Sequence, residues 1–176
     1  MSTPEPLQNA PISYMTYEKE TDLLPAIKLI ECDLSEPYSI YTYRFFVHQW
    51  PQLCILAHTE EGEKTSCVGV IICKIEEHRR RMMDGYFADD REVLMRGYIG
   101  MVAVDKRCRG RGIGRTLVAM AVERMREAGA EEITLEAETG NRGALAMYEA
   151  MGFIREKRLY RYYISGADAY RLKLWL

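Results

Sequence analysis

Apolar residues recur at the spacing of an α-helix in several parts of this chain. Leu24, Ile27 and Ile30 share one face of such a helix. Ser39 can cap a second helix that Pro51 ends, since proline cannot continue a helix. Asn141 is a capping residue of the same kind. The pattern predicts helices over 22–34, 39–50, 113–128 and 141–151.

Strands are predicted where apolar and polar residues alternate. The clearest case is Ile133–Glu138, in which apolar residues at odd positions face one way and polar residues at even positions face the other. A final strand over 170–176 should pair antiparallel with the strand before it, across a turn at 165–168. The other predicted strands are 12–17, 53–58, 67–75, 96–104, 153–154 and 158–164. Glu76–Glu92 is charged and unpatterned, which predicts a mobile loop.

This order of elements predicts a single domain of the α/β or α+β class with a mixed sheet. The length of 176 residues suits one domain. We expect a flexible tail over 1–11 and a domain over 12–176, interrupted by the charged insertion at 76–92.

Composition narrows the class of protein. Hydrophobic residues form 48% of the chain and the net charge is −2, so the sequence predicts a globular protein without general attraction to nucleic acid or membranes. The five cysteines are scattered and odd in number, which favours free thiols in a reducing compartment. No metal-ligand spacing, signal peptide or membrane span is evident, and we expect a soluble, cytoplasmic protein without a metal.

The strongest chemical motif is the segment Arg109–Gly114, which reads RGRGIG between a predicted strand and a predicted helix. A helix start offers unpaired N–H groups, glycines allow close approach, and arginines add charge for an anion. The glycine spacing fits neither a dinucleotide fingerprint nor a P-loop. A plain turn or an RGG-type nucleic-acid segment are the alternatives, and an anion cradle is the favoured interpretation.

The sequence resembles the GCN5-related N-acetyltransferases at this point. Arg109-x-x-Gly112-x-Gly114 is similar to their (Q/R)xxGx(G/A) cofactor motif, and the run from Asn141 through Tyr148 to Phe153 is similar to a second family segment. The resemblance implies a mixed, mostly antiparallel twisted sheet with a V-shaped cleft, about four flanking helices, and acetyl-CoA as acyl donor.

A closer resemblance is to the catalytic subunits of N-terminal acetyltransferase C. It is carried by the segments Asp33–Tyr41, Gly97–Ile99, Leu135–Glu138 and Arg161–Tyr163. It implies acetylation of the N-terminal amine of proteins that begin with Met and a hydrophobic residue, two auxiliary subunits, and work at ribosomes. The charged stretch 76–92 looks longer than the family's connection at that point.

Two residues are candidates for proton transfer. Glu136, on the polar face of its strand, is the candidate general base, acting through water, with Glu138 a weaker one. A solvated surface carboxylate is the alternative for Glu136. Tyr148 is the candidate general acid for the leaving thiolate, and a core aromatic is its alternative. The resemblance places catalytic groups at both Glu136 and Tyr148.

The remaining site residues are predicted from the glycine segment and from the resemblance. The cofactor-binding residues are Val102, Ala103, Val104, Arg109, Gly110, Arg111, Gly112, Ile113, Gly114, Arg115, Thr116, Asn141, Ala144 and Tyr148. The substrate-binding residues are Leu34, Glu36, Pro37, Tyr38, Tyr98, Met101, Tyr162 and Tyr163. Two other functions stay open: acetylation of a lysine or small amine, and a non-catalytic acyl-CoA-binding subunit.

Overall fold

Helices and strands are mixed along the chain in a computed structural model that describes residues 10–34, 36–61, 64–81 and 91–176. The strands are β1 Ile12–Thr16, β2 Cys54–Glu61, β3 Lys64–Arg81, β4 Arg91–Val104, β5 Glu132–Glu138, β6 Ile154–Leu159 and β7 Ala169–Trp175. The helices are α1 Glu20–Asp33, α2 Ile40–Gln49, α3 Ile113–Glu127 and α4 Arg142–Ala150, with 3-10 turns at Pro51–Leu53 and Lys106–Cys108. In these parts of the chain, no helix is both long and apolar enough to cross a membrane.

The strands form one sheet in the order β1-β2-β3-β4-β5-β7-β6. The β1–β2, β2–β3, β5–β7 and β6–β7 ladders are antiparallel, and the β4–β5 ladder is parallel. β7 therefore lies between β5 and β6, although it follows both in sequence. The predicted class, a mixed and mostly antiparallel sheet with flanking helices, is confirmed.

The chain forms two compact units, each built from two segments. The first unit comprises Met1–Lys74 and Ile99–Arg124, and the second comprises Ile75–Tyr98 and Met125–Leu176. β3 and β4 each continue from one unit into the other. Neither unit is a contiguous stretch of sequence.

The core of the first unit lies where α1, α2 and α3 supply fully buried apolar side chains to the sheet. On α1, Ile27 and Ile30 are buried as predicted, but Leu24, expected on the same face, is exposed, and Leu23 is buried in its place. Gly69 in β3 allows the closest approach, because a Cβ there would lie 2.8 Å from Ile113 Cγ2 of α3. Any larger residue at this position would force the Ile113 and Leu117 side chains of α3 to shift.

In the second unit, β5 is an interior strand that is buried on both of its faces. The residues from Glu132 to Leu135 are all buried, including the polar Glu132 and Thr134. Glu132 is ionised at the cost of its hydration, and two cations compensate: Arg96 of β4 contacts one oxygen, and Lys173 Nζ of β7 lies 3.0 Å from the other. This cluster links three neighbouring strands.

The predicted helices are confirmed, and so is their capping. Ser39 accepts a hydrogen bond from the Thr42 N–H, and Asn141 accepts one from the Ala144 N–H. Gly129 and Gly152, which follow α3 and α4, both have the positive φ of a helix C-terminus. The predicted tail 1–11 lies outside the described residues except at positions 10 and 11.

Two sequence predictions about irregular and extended segments are wrong. Residues 76–81 and 91–92, expected in a loop, are strand, while 82–90 lie outside the described residues. Glu76, Glu77 and Arg79 are exposed, so this part of β3 has no apolar face to mark it as a strand. A strand can pair without an apolar face, because the ladder is made of backbone hydrogen bonds.

The strand expected over 158–164 ends at Leu159 instead. Arg161 has φ +49°, a left-handed conformation that a strand does not contain. The Asp168 carboxylate holds this bend, because it accepts a hydrogen bond of 2.8 Å from the Arg161 N–H and two from the Arg158 guanidinium. Residues 160–168 therefore form a turning connection between β6 and β7.

Candidate active site

The glycine segment lies directly between the end of β4 and the start of α3, in the first unit. Gly110 and Gly112 both have φ +78°. The Gly112 carbonyl accepts a hydrogen bond of 2.9 Å from the Thr116 N–H, so Gly112 is the first residue of the helical hydrogen-bond pattern. The N–H groups that precede Thr116 in this first turn have no acceptor within the helix.

The space in front of these glycines is open. A Cβ at Gly110 or Gly112 would meet no atom within 4 Å. Glycine is therefore required here by the left-handed backbone, and the missing side chains leave the N–H groups accessible. A helix N-terminus with this exposure favours an anion, as the sequence predicts.

Two of the arginines in this segment contact the protein itself. The Arg109 guanidinium forms an ion pair with Asp33, the last residue of α1, and its Nε donates to the Val104 carbonyl at 3.3 Å. Arg111 donates to the Ala10 carbonyl. Sequence reasoning assigned both to the anion. Here Arg109 ties the loop to α1 while its side chain stays exposed, and Arg115 in the first turn of α3 is exposed as well.

The strand before the loop presents its backbone at the same end. Ala103 is buried, while Val102 and Val104 on either side are partly exposed. Asp105 ends the strand, and its N–H donates to the Val68 carbonyl at 2.9 Å. Its carboxylate accepts from the Arg107 backbone and guanidinium; the hydrogen bond from that side chain is the main reason that the pKa of Asp105 lies below its usual value.

Glu136, the predicted base, lies in the second unit with a nearly buried side chain, 6% exposed. Its Oε1 accepts a hydrogen bond of 2.8 Å from Arg171 Nε of β7. Its Oε2 accepts one of 2.9 Å from the Tyr98 hydroxyl of β4. The alternative of a solvated surface carboxylate is therefore wrong for Glu136, whereas Glu138 is exposed.

Sequence reasoning named Glu136 and Tyr98 for different roles and missed Arg171. The β5–β7 register pairs Glu136 directly with Arg171. The predicted alternation of the last strand and its antiparallel pairing were the available signals. They did not reveal the partner, because the inserted β7 pairs with β5 as well as with β6.

Tyr148 and Asn141 lie on the same short helix of the second unit. Asn141 Oδ1 accepts the Ala144 N–H at 3.1 Å and so fixes the start of α4. Tyr148 is 6% exposed, and its ring packs edge-on against Phe153 with centroids 5.6 Å apart. Tyr148 is thus a packed aromatic residue with a polar tip, and the acid role stays a prediction.

The predicted substrate residues lie in the α1–α2 connection, in β4, and in the β6–β7 connection. Leu34, Glu36, Pro37 and Tyr38 form the connection between α1 and α2, where the Tyr38 ring stands 6.0 Å edge-on to Tyr43. Met101 is a buried residue of β4.

Tyr162 and Tyr163 lie in the connection between β6 and β7 in the second unit. Their rings are 5.2 Å apart and nearly perpendicular. The Tyr163 N–H donates to the Ala167 carbonyl at 3.1 Å, which narrows this connection into a turn. The Asp168 carboxylate stabilises the same turn, so both tyrosines lie in a connection whose backbone is held by hydrogen bonds.

Most of the five cysteines are wholly or partly buried. The cysteines are free, as predicted. Burial raises the pKa of Cys54 to about 12 and that of Cys67 to about 11, so neither is a thiolate nucleophile near neutral pH. No group of three or more His, Cys, Asp or Glu side chains in the described part of the chain could hold a metal ion.

A mixed sheet whose fourth strand leads through a glycine loop into a helix defines a class of acyl-transfer proteins. The chain belongs to the acetyltransferase (GNAT) family, which it matches over residues 23–153. The resemblance inferred from the sequence is confirmed.

Individual relatives narrow the comparison. The chain is 48% identical to N-alpha-acetyltransferase 30 of Homo sapiens over 172 residues, which are 98% of this chain and 43% of that protein. It is 48% identical to N-alpha-acetyltransferase MAK3 of Arabidopsis thaliana over 174 residues, 99% of this chain and 83% of that protein. The chain thus spans less than half the length of its human relative.

A solved structure agrees with these relatives. The fold is similar to a chain in the crystal structure of the NatC complex bound to Gag peptide and CoA. The TM-score is 0.83 at 41% identity, covering 94% of this chain and 98% of that one. The closer resemblance, to catalytic subunits of N-terminal acetyltransferase C, is confirmed as well.

Proposed function

We propose that this chain transfers an acetyl group from acetyl-CoA to the N-terminal amine of proteins that begin with Met and a hydrophobic residue. The observation that carries the proposal is the 48% identity, along nearly all of the chain, to relatives named for N-alpha acetylation. A 41% identical chain from a NatC structure with bound Gag peptide and CoA supports a peptide and acetyl-CoA as substrates. When bound, acetyl-CoA supplies a thioester carbonyl that an amine can attack.

The glycine loop is the proposed site for the pyrophosphate of acetyl-CoA. Its open N–H groups and the positive end of the α3 dipole favour two neighbouring phosphates. Gly110 and Gly112 leave room for them, since nothing lies within 4 Å of a Cβ at either position. Arg115, which is exposed in the first turn of α3, is the proposed side-chain contribution. Backbone groups of 102–104 are proposed to bind the amide arm and to polarise the carbonyl.

Glu136 is the proposed general base, acting through a water molecule. A free α-amino group has a pKa of about 7.7–8.0, against about 10.4 for a lysine side chain, so an N-terminal amine needs only modest help at neutral pH. A carboxylate suits this task. Glu136 retains capacity for a water, because each oxygen accepts one resolved hydrogen bond from the described part of the chain and a carboxylate accepts about four.

Tyr148 is the proposed general acid. Its phenol is the polar tip of an otherwise buried ring, and a phenol can donate a proton to a departing sulfur. Packing against Phe153 and the capped start of α4 hold the ring in one position. A fixed donor protonates the leaving group without first losing side-chain entropy.

Peptide recognition is assigned to the α1–α2 connection, to Tyr98, and to Tyr162 with Tyr163. Tyrosine offers an apolar face for a methionine side chain and a hydroxyl for the peptide backbone. By similarity to the NatC structure, we also propose assembly with auxiliary subunits, and action on nascent chains at ribosomes in the cytoplasm.

A peptide assay tests the proposal. One peptide begins Met-Leu with a free α-amine, and its twin has a blocked N-terminus and free lysines. Coenzyme A release is followed for each, with and without auxiliary subunits. We expect turnover of the first peptide only. Equal rates would refute the α-amine specificity and favour lysine acetylation, and the absence of turnover with bound acetyl-CoA would favour a non-catalytic subunit.

Two variants test the assigned residues in the same assay. Tyr148→Phe should keep acetyl-CoA binding and lower kcat by roughly 10²-fold, the scale of lost acid catalysis. Gly112→Asp should abolish binding, because it adds bulk and negative charge at the phosphate. Tyr41→Phe is the matched control, since Tyr41 is 76% exposed on α2. Unchanged kcat in Tyr148→Phe, or normal coenzyme A affinity in Gly112→Asp, would contradict the respective assignment.

A further inference from the structure

Arg171 is the one cation in hydrogen-bond contact with Glu136 among the interactions resolved in the described residues. The two residues are direct partners in the β5–β7 ladder, and Arg171 Nε donates to Glu136 Oε1 at 2.8 Å. The Arg171 side chain is 32% exposed, against 6% for Glu136. The carboxylate is therefore nearly buried, while its arginine partner is partly exposed.

The Glu136 carboxylate accepts hydrogen bonds from both flanking strands. Tyr98 of β4 donates its hydroxyl to Oε2 at 2.9 Å, while Arg171 of β7 donates to Oε1. Removing Arg171 would leave only the neutral partner. A nearly buried carboxylate that has lost its cation is costly to keep ionised, and its side chain can rotate.

The cation itself is secure. Burial alone would lower the pKa of Arg171, but the hydrogen bond to Glu136 and the charges of Glu136 and Glu156 raise it above its usual value. The ionisable groups that face the pair are Tyr98 from β4, Glu156 from β6, and Tyr162 from the β6–β7 connection. Glu156 forms an ion pair of 2.7 Å with Lys173 Nζ, whereas Arg171 donates its hydrogen bond of 2.8 Å to Glu136.

We propose that Arg171 is a positioning residue for the reaction, which holds the Glu136 carboxylate ionised and in a single orientation for proton transfer. The inference rests on the proposed role of Glu136 as the base. Arg171 acts through Glu136 and contacts no reacting atom in this scheme. Its loss should therefore lower kcat and leave the affinity for acetyl-CoA unchanged.

The experiment compares Arg171→Met, Arg171→Lys, Glu136→Gln and the double variant Glu136→Gln/Arg171→Met in the full chain, with its auxiliary subunits present. kcat and KM are measured with the Met-Leu peptide from pH 5.5 to 9, and folding is checked by circular dichroism. Arg155→Met is the matched control, because Arg155 pairs with Glu149 at an exposed position of the neighbouring strand β6.

We expect Arg171→Met to lower kcat by about 10- to 100-fold, on the scale of losing a group that orients a reactive one. The acidic limb of its pH–rate profile should move to higher pH, because loss of a neighbouring cation makes a carboxylate easier to protonate. Arg171→Lys should recover part of the rate and stay several-fold below wild type, because lysine keeps the charge but lacks the planar guanidinium. The double variant should be no slower than Glu136→Gln, since residues that act as a unit are not additive.

The possible failures are distinguishable. If Arg171→Met keeps kcat and its acidic limb while Glu136→Gln loses activity, the inference about Arg171 is overturned and the base stands. If Glu136→Gln keeps its rate, the base assignment fails, and the positioning role fails with it. Should Arg171→Met not fold, Arg171→Lys decides: a several-fold drop in kcat with an unmoved limb supports the inference, and an unchanged kcat overturns it.

Discussion

Replacing Glu132 by glutamine should destabilise the second unit more than most single substitutions. Glu132 has no exposed surface and lies between two cations, Arg96 of β4 and Lys173 of β7. Glutamine preserves the volume of the side chain, so no cavity forms. The change removes only the negative charge, and both cations then lack their compensating partner.

The magnitude follows from how buried the cations are. Breaking a buried ion pair from one side costs about 3–5 kcal/mol. Arg96 is 19% exposed and can be partly hydrated, and Lys173 keeps Glu156 at 2.7 Å and the Trp175 ring at 4.8 Å. These contacts place the expected loss near the lower end, about 3 kcal/mol, which corresponds to roughly 6–12 °C in Tm for a chain of this length.

The loss should also depend on pH. Burial alone would raise the pKa of Glu132, but the hydrogen bonds and charges of Lys173 and Arg96 outweigh it and lower that pKa. A lowered pKa in the folded state stabilises the protein above the unfolded-state pKa of about 4.3, and this contribution disappears as the pH falls through the folded value. The difference between wild type and Glu132→Gln should thus be complete at pH 7 and shrink below about pH 4.

Urea denaturation followed by circular dichroism, from pH 3 to pH 7, measures this difference. Glu127→Gln, at an exposed position at the end of α3, is the control and should change stability by less than about 0.5 kcal/mol. A loss below about 1 kcal/mol at pH 7, or one that does not vary with pH, would refute the reasoning.

Two further predictions concern close packing and thiol reactivity. Gly97→Ala should destabilise the protein by about 1–3 kcal/mol in urea denaturation, because its Cβ would lie 2.5 Å from the buried Met125 Sδ. Gly143→Ala is the control, since open space surrounds that position. Equal stabilities of the two variants would contradict the prediction. The second experiment labels the native protein briefly with a thiol reagent and reads the products by mass spectrometry. The exposed Cys32 should react, and the buried Cys54 should not, because burial raises the pKa of Cys54 to about 12. Similar rates for the two cysteines would show that Cys54 is accessible.

Local signals explain why the helices could be predicted from the sequence. Ser39 and Asn141 cap helices through bonds to residues three positions away, and Gly129 and Gly152 end them, so each boundary is encoded within a few residues. The outer half of β3 gave no such signal. Its ladder is made by backbone groups, and its charged side chains carry no apolar period.

Contacts between distant residues set the limit on predicting the site. Glu136 and Tyr98 are 38 positions apart, and Glu136 and Arg171 are 35 apart, so their hydrogen bonds depend on strand register. Residue type and pattern could nominate Glu136 and Tyr98 singly. The pairing of Arg109 with Asp33 was equally hidden, since it depends on where α1 ends relative to the glycine loop in the first unit.

The place of β7 between β5 and β6 has a consequence for biosynthesis. A ribosome makes β6 before β7, and β7 is the strand next to β6 in the sheet. A nascent β6 therefore lacks this pairing partner until β7 has been made. β7 therefore has to pair with β5 on one side and with β6 on the other after both have been synthesised. Nine residues separate the end of β6 from the start of β7, and the hydrogen bond from the Arg161 N–H to Asp168 holds the turn that they form.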